Sequence, residues 1–398
     1  MNFRWVGVIV FVCLVVVMGI LMVPWEDRPP AEDTNSSSPQ DNNHPVADVL
    51  EKPSGLTYAY GSKFEPPDGY VFYGYGQWVD YNDKLTAKVN NPSLQPASEL
   101  LFIDIGDTPR GWNPSTIRMA FERMERNQVI PSIDIAFRGN HVDISSLDDP
   151  YYGIDEEIPI SMKYQQRIRD VAQIVKEYGK PVFVRLGGEF NGNWNGYQPY
   201  AYPKAFRTAV NIFREEGADN AAFVWCYMPA APDDYFDMDE NGNAKWFPGD
   251  EYVDWYSIDV FNPNQFSGSE YRSDGKLTNY GKTLAFLSAA EAHGKPVFIA
   301  ESSSVEVGLD PSLKTGKAVW SSWFVPYFAF IRDHPIIKGF VYINYDWTQA
   351  ANYKKQGWKN GDLTENEYVL QLFMEELVKD FYIKSPQRHW LMEYDRFT

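Results

Sequence analysis

Residues 161–187, which read SMKYQQRIRDVAQIVKEYGKPVFVRLG, contain the pattern that decides the fold. Apolar residues recur at helical spacing as far as Tyr178, and the short apolar run Pro181–Gly187 follows directly. Gly179 and Pro181 mark the boundary, because glycine ends helices and proline cannot continue them. Gly294-Lys295-Pro296 is a near copy of this boundary. The stretch therefore predicts a helix followed by a buried strand, the repeating unit of a parallel α/β fold.

The same alternation continues through the chain from about residue 60. The predicted strands are Val71–Gln77, Leu100–Gly106, Val129–Ala136, Pro181–Gly187, Ala221–Tyr227, Val253–Phe261, Pro296–Glu301 and Gly339–Asn344. The predicted helices are Pro114–Arg126, Ser161–Tyr178, Tyr202–Glu216, Tyr280–His293, Lys317–His334 and Glu365–Asp380. Repeated strand–helix units predict one α/β domain, a (β/α)8 TIM barrel over residues 59–398. A doubly wound open sheet is the alternative, but no glycine-rich phosphate fingerprint follows the first strand.

The amino-terminal segment has a different composition from the barrel. Residues 5–23 (WVGVIVFVCLVVVMGILMV) carry no charge and are long enough to span a bilayer. No small-residue cleavage site follows them, so they predict an uncleaved transmembrane signal anchor over residues 1–25. Residues 26–58, rich in Pro, Ser and Asn, predict a disordered tether. We expect the barrel to be extracytoplasmic and anchored to the cell membrane by this helix, or secreted if the segment is cleaved.

Charge and composition limit the possible partners. The 398 residues include 36 basic and 54 acidic side chains, a net charge of −18, which argues against binding nucleic acid or anionic lipid. Aromatic residues make up 16% of the chain and suit a groove that stacks on sugar rings of a neutral polysaccharide or oligosaccharide. We expect a monomer that contacts the membrane through the N-terminal helix only.

A metal or cofactor is not expected. No H-E-x-x-H motif or Cys/His cluster occurs in the sequence. The acidic run from Asp237 to Asn243 is similar to a calcium loop, but Pro248 stands where that pattern requires a glutamate. The run therefore favours a solvated loop, and we predict no bound metal and no cofactor.

Two predicted strands end in a glutamate. Glu189 closes the fourth strand and Glu301 the seventh, at the barrel end where active sites lie. Two carboxyls facing one pocket are what glycoside hydrolysis needs, one as proton donor and one as nucleophile or stabiliser. Arg185 precedes Glu189 by four residues, so it either keeps a carboxylate ionised or forms an ion pair inside the barrel. Asp104, Asp134 and Asp259 also fall within strands, and we expect structural roles for them.

Three motifs in order resemble glycoside hydrolase family 26, a group of endo-β-mannanases and related β-glycanases on a (β/α)8 barrel. They are RLGGEFNGNW at 185–194, FPGDEYVDW at 247–255 and KPVFIAE at 295–301. The resemblance implies Glu189 as general acid/base and Glu301 as nucleophile of a retaining double displacement. It also implies sugar contacts by Trp194 and Trp347, within a substrate-binding set of Arg185, Asn191, Trp194, Trp225 and Trp347.

Two departures from the family pattern affect the expected substrate. Gly188 stands where mannanases of this family commonly have histidine, and Phe261 replaces a usual tyrosine. We therefore expect a retaining endo-β-glycanase for a neutral polysaccharide: β-mannan, mixed-linkage β-glucan or xylan. A glycan-binding barrel without turnover and a transglycosylase of envelope glycans are the alternatives.

Overall fold

The computed structural model of the protein describes residues 51–107, 111–141, 151–232 and 245–391. The predicted anchor, the tether up to residue 50 and the acidic run 237–243 lie outside these ranges. Among the described residues, no helix is long and apolar enough to cross a membrane.

Eight parallel strands close into a barrel. In chain order the strands are β1 Val71–Gly76, β2 Ser98–Asp104, β3 Ile130–Ala136, β4 Arg138–His141, β5 Tyr151–Gly153, β6 Val182–Glu189, β7 Ala221–Tyr227, β8 Trp255–Val260, β9 Val297–Ser302, β10 Ile337–Ile343 and β11 Tyr382–Ile383. Strands β1–β3 and β6–β10 pair with their neighbours in parallel, and β10 pairs with β1. The predicted barrel and its eight strands are confirmed, and the closing pair rules out the open sheet.

The remaining strands were not predicted. β4 and β5 form an antiparallel hairpin at the carboxyl end of β3, and β11 adds two residues beside β1. These strands are only two to four residues long, so the period-two pattern that identifies a strand has no room to appear in them.

The helices surround the barrel. They are α1 Val79–Val89, α2 Pro114–Arg126, α3 Met162–Tyr178, α4 Ala201–Glu216, α5 Asn279–Ala292, α6 Leu313–Val319, α7 Val325–Asp333, α8 Ala351–Lys355 and α9 Glu367–Leu377. The helix predicted over Lys317–His334 is α6 and α7 joined through a wide π turn, Trp320–Phe324. Helix α1 was not predicted, because it buries only Asn82 and Leu85 and so has no apolar stripe along its sequence.

The amino-terminal end of the barrel is filled by aromatic rings. Phe72, Phe183 and Phe298 pack with centroids 5.2–5.7 Å apart, and Phe64, from the segment before β1, adds an edge-on contact to Phe183 at 5.8 Å. The Trp255 indole bonds the carbonyl of the residue before Phe64 at 2.8 Å. This end is therefore a packed core, and the cavity lies at the carboxyl ends of the strands.

Candidate active site

A cavity of about 220 Å³ lies at the carboxyl ends of the barrel strands. Both predicted catalytic glutamates line it, together with side chains from all eight barrel strands or the loops that follow them. The lining consists of Gln77, Phe102, Asp134, Ala136, Arg138, Arg185, Gly187, Gly188, Glu189, Trp194, Asn195, Met228, Phe261, Glu301, Trp347, Asn352, Tyr353, Gln356 and Trp358.

Strand irregularities occur beside both glutamates. Along β6, Arg185 pairs with Val224 but Glu189 pairs with Cys226, so β6 contains extra residues relative to β7. Along β9, Glu301 pairs with Asp259 one residue out of the preceding register. Bulges of this kind re-aim a side chain at the rim of a barrel.

Two glycines make the bulge in β6 possible. Gly187 and Gly188 have φ values of +80° and +58°, a left-handed backbone that costs other residues about 1–2 kcal/mol. A Cβ on Gly187 would lie 2.6 Å from the Tyr202 ring, and one on Gly188 would lie 3.2 Å from Asp134 Oδ2. The departure at position 188 therefore fits the local backbone, which favours glycine there.

Arg185 is surrounded by carboxylates from three other strands. Its Nε donates to Asp134 at 2.5 Å, its Nη1 donates to Asp259 at 2.8 Å, and its Nη2 donates to Glu301. The guanidinium and the two aspartates are fully buried, as expected for structural aspartates. The ion pair inside the barrel, one of the two roles predicted for Arg185, is therefore present. Because these donors serve carboxylates, we assign Arg185 to positioning Glu301 rather than to direct contact with substrate.

The two glutamates affect each other's ionisation. Burial and the charge of Glu301 raise the pKa of Glu189 to about 7. Burial also raises the pKa of Glu301, to about 8, while the charge of Arg185 opposes that rise. Glu301 accepts a hydrogen bond from a cation, and Glu189 accepts one from a neutral indole. The pKa of both carboxyls is raised, but the charge-assisted bond from Arg185 favours the ionised form on Glu301, and on this ground we expect the proton on Glu189.

Trp194 contacts Glu189 directly. Its Nε1 donates to Glu189 Oε2 at 2.7 Å, and its indole lies so close to Gly192 that a Cβ there would be 2.4 Å from the ring. The side chain remains 36% exposed and lines the cavity. Trp194 thus holds the Glu189 carboxyl and leaves part of its ring open to a ligand.

Aromatic rings form another wall of the cavity. Trp347 donates from Nε1 to Ser303 Oγ at 3.0 Å, and its ring meets those of Trp358 and Tyr353 at 4.7 and 4.8 Å. Phe261 packs on Trp358 at 5.0 Å. Trp358 therefore lines the cavity, whereas Trp246, Trp320 and Trp323 pack in or against the core.

Asn191 and Trp225 do not line the cavity. Trp225 is fully buried and stacks on Phe190 at 4.4 Å. Asn191 is 1% exposed, and its amide exchanges two hydrogen bonds with the backbone of Met228, each 2.9 Å. The predicted substrate contacts of these two residues are therefore corrected to structural roles beneath the cavity. Strand-end position alone did not distinguish inward from outward side chains.

Several cavity residues were not predicted. Arg138 and Asn195 flank Glu189, and Asn352, Tyr353 and Gln356 come from helix α8 and its end. Arg138 lies two residues beyond β3, so the rule that strand ends carry the site would have found it. Helix α8 has five residues and no periodic signal. In the described ranges, no group of three or more His, Cys, Asp or Glu side chains is arranged to hold a metal ion.

Comparison with known sequences finds a family match over part of the chain. The profile of Glycosyl hydrolase family 26 matches residues 148–305. A β-1,3-xylanase of Alcaligenes sp is 31% identical over 237 residues, 54% of this chain and 46% of that protein. β-1,3-Xylanase TXYA of Vibrio sp is 31% identical over 244 residues, 56% of this chain and 49% of that protein. The chain thus spans about half the length of these relatives. The predicted resemblance to family 26 is confirmed.

Comparison with solved structures agrees on the fold. The catalytic domain of a Bacillus sp. JAMB-750 GH26 endo-β-1,4-mannanase superposes with a TM-score of 0.55 at 15% sequence identity. The match covers 90% of this chain and 99% of that domain. At this identity the likeness establishes a shared barrel architecture.

Proposed function

We propose that this protein is a retaining endo-β-glycanase in which Glu189 is the general acid/base and Glu301 the nucleophile. The observation that carries the proposal is the unequal bonding of two carboxyls in one cavity. Glu301 is bonded to the buried guanidinium of Arg185, and Glu189 to the neutral indole of Trp194. Retaining hydrolysis requires such a pair, because the nucleophile must be ionised and the general acid must be protonated.

In the first step, Glu301 attacks the anomeric carbon while Glu189 gives its proton to the departing glycosidic oxygen. The bond from sugar to leaving group breaks, and an ester bond from sugar to Glu301 forms. The raised pKa of Glu189 keeps its proton available at neutral pH. Arg185 favours the carboxylate form of Glu301 before the attack.

In the second step, Glu189 is a carboxylate and accepts a proton from water. The resulting hydroxide equivalent attacks the anomeric carbon from the face that the leaving group left, and the ester to Glu301 breaks. Two inversions give overall retention, and both glutamates regain their starting protonation. The partly exposed Trp194 offers a surface for the leaving-group sugar.

For the substrate, we propose a neutral β-glycan with β-1,3-xylan as the first choice. The relatives named above are β-1,3-xylanases, and Met228, Phe261 and Trp358 give the cavity an apolar wall. A xylose ring has a methylene where glucose and mannose carry a hydroxymethyl group that needs a hydrogen-bond partner. An apolar wall therefore suits a pentose.

A panel of polysaccharides tests the proposal. Purified protein would be incubated with β-1,3-xylan, β-1,4-xylan, β-mannan and mixed-linkage β-glucan, and products would be separated by size and followed by NMR. We expect short oligosaccharides from β-1,3-xylan with a β-configured new reducing end. Binding without products would favour the glycan-binding alternative, and products longer than an added oligosaccharide would favour the transglycosylase. An α-configured first product would rule out the retaining mechanism.

The proposal includes a location outside the cytoplasm. The uncharged run 5–23 supports a membrane anchor, with residues 26–58 as tether. The full chain should sediment with membranes and resist carbonate extraction, whereas a variant starting at residue 51 should be soluble. Release of the full chain into the medium would instead indicate secretion.

A further inference from the structure

Arg138 and Asn195 connect the end of β3 to the residue proposed as acid/base. Asn195, 3% exposed, donates from Nδ2 to the backbone carbonyl of Glu189 at 2.9 Å. Its Oδ1 accepts a hydrogen bond from Arg138 Nη1 at 2.8 Å. Arg138 also bonds Asp104 through Nε at 3.3 Å. The side chains thus form a continuous chain from β2 to Glu189.

The loop after β6 also contacts the β4–β5 hairpin and the residues on either side of it. The backbone N–H of Phe137 donates to the Tyr197 hydroxyl at 3.0 Å, and that of Gln198 donates to Asp155 at 2.8 Å. Gly153 of β5 lies so close to the loop that a Cβ there would be 2.5 Å from the carbonyl oxygen of Gly196. The hairpin therefore fixes the loop that carries Trp194 and Asn195.

Arg138 also acts on Glu189 through its charge. Both side chains line the cavity, and the Arg138 guanidinium opposes the rise in the pKa of Glu189 that burial causes. Other groups that act on Glu189 are Arg185 on its own strand, Cys226 on β7, Asp259 on β8 and Glu301 on β9. Among these, Arg138 is the cation that has no bond to Glu301.

We propose that Arg138 and Asn195 are positioning residues for Glu189: Asn195 fixes its backbone and Arg138 stabilises the carboxylate left after proton donation. This inference rests on the proposed function, in which Glu189 is the proton donor. Arg138 holds Asn195 in place and supplies a positive charge beside the developing carboxylate.

The test compares three variants with a distant control. Asn195→Ala removes the bond to the Glu189 backbone. Arg138→Met removes the positive charge and the bond to Asn195, and Arg138→Lys keeps the charge without the planar guanidinium. The control is Arg118→Met, an exposed arginine on α2 that pairs with Glu177. Rates would be measured on β-1,3-xylan and on 2,4-dinitrophenyl β-1,3-xylobioside, whose leaving group needs no proton.

We expect Asn195→Ala and Arg138→Met to lower kcat/KM on xylan by about 10- to 100-fold, because misplaced proton donation loses part of its usual contribution. On the activated xyloside kcat/KM should fall less than about 3-fold, because it reports the first step, in which that leaving group departs unprotonated. Equal losses on both substrates, or a raised KM with unchanged kcat, would overturn the positioning role.

A second measurement does not depend on turnover. Protein labelled with ¹³C at the glutamate δ-carbon would be titrated by NMR, with the Glu189 signal identified by its absence in Glu189→Gln. We expect the midpoint pH of the Glu189 titration to rise in Arg138→Met, because a positive charge is lost. In Arg138→Lys and Arg118→Met the midpoint should stay within about 0.3 pH unit of the wild type, roughly twice the titration error. A midpoint unchanged in Arg138→Met would overturn the inference. A shifted midpoint in a protein without turnover on any glycan would instead overturn the proposed function alone.

Discussion

Replacement of Arg185 by methionine removes the cation that bonds Asp134, Asp259 and Glu301. The guanidinium is 1% exposed and the two aspartates are fully buried, so solvent cannot replace it. Methionine fills a similar volume, and the main loss is electrostatic. Breaking a buried ion pair by removing one partner costs about 3–5 kcal/mol.

The loss in free energy of unfolding caused by Arg185→Met should be larger at high pH than at low pH. Without the guanidinium, we expect the folded variant to bind one more proton than the wild type to limit the repulsion among its carboxylates. Protonating a carboxyl whose unfolded pKa is about 4 costs about 4 kcal/mol at pH 7 and about 1.4 kcal/mol at pH 5. Because the folded variant binds more protons than its unfolded chain, its free energy of unfolding falls as pH rises from 5 to 7, relative to the wild type.

Thermal unfolding at both pH values measures this effect. For a domain of about 340 residues, a loss of about 4 kcal/mol lowers Tm by about 6 °C, and a loss of about 1.4 kcal/mol lowers it by about 2 °C. Arg118→Met is the matched control, since it breaks an exposed ion pair that contributes less than about 1 kcal/mol. A Tm decrease of the same size at pH 5 and pH 7, or one no larger than the control's, would refute the assignment of Arg185 as the buried counter-ion.

Three other predictions concern the catalytic pair, the barrel floor and the bulge. Glu301→Ala should abolish hydrolysis, and added azide should restore turnover and give a glycosyl azide of inverted configuration. Glu189→Ala should retain more activity on aryl glycosides than on xylan, and full activity of Glu301→Ala on every glycan would contradict the mechanism. Phe64→Ala should lower the free energy of unfolding by about 3–5 kcal/mol, whereas Tyr271→Ala, at an exposed position, should change it very little. A loss under about 1 kcal/mol for Phe64→Ala in denaturant titration would show that the amino-terminal end of the barrel is loosely packed. Gly187→Ala should lower the free energy of unfolding by about 2–4 kcal/mol, because it adds a clash with Tyr202 to the strain of a left-handed backbone. Gly217→Ala, at φ +71° with only the Lys176 side chain nearby, should lower it by about 1 kcal/mol, and equal losses in denaturant titration would show that the clash relaxes.

The amino-acid sequence predicted most of the architecture because local pattern and barrel geometry agree. Short apolar runs bounded by glycine and proline indicated all eight barrel strands, and Pro114–Arg126 was predicted with both its bounds. Once the chain is a barrel, every strand must present its carboxyl end at one mouth, so Glu189 and Glu301 were placed at one cavity without any coordinates. Local periodicity was sufficient for these predictions because burial repeats along each element.

Tertiary structure alone decided which side chains meet. Arg185 bonds residues that are 51, 74 and 116 positions away in sequence, and their common location follows from strand order and closure. Trp225 lies within an apolar strand and Trp347 follows one, and the first stacks in the core while the second lines the cavity. The difference depends on side-chain direction, which bulges change without altering the hydrophobic pattern. The bond between Arg138 and Asn195 belongs to the same category, because it joins residues 57 positions apart in sequence.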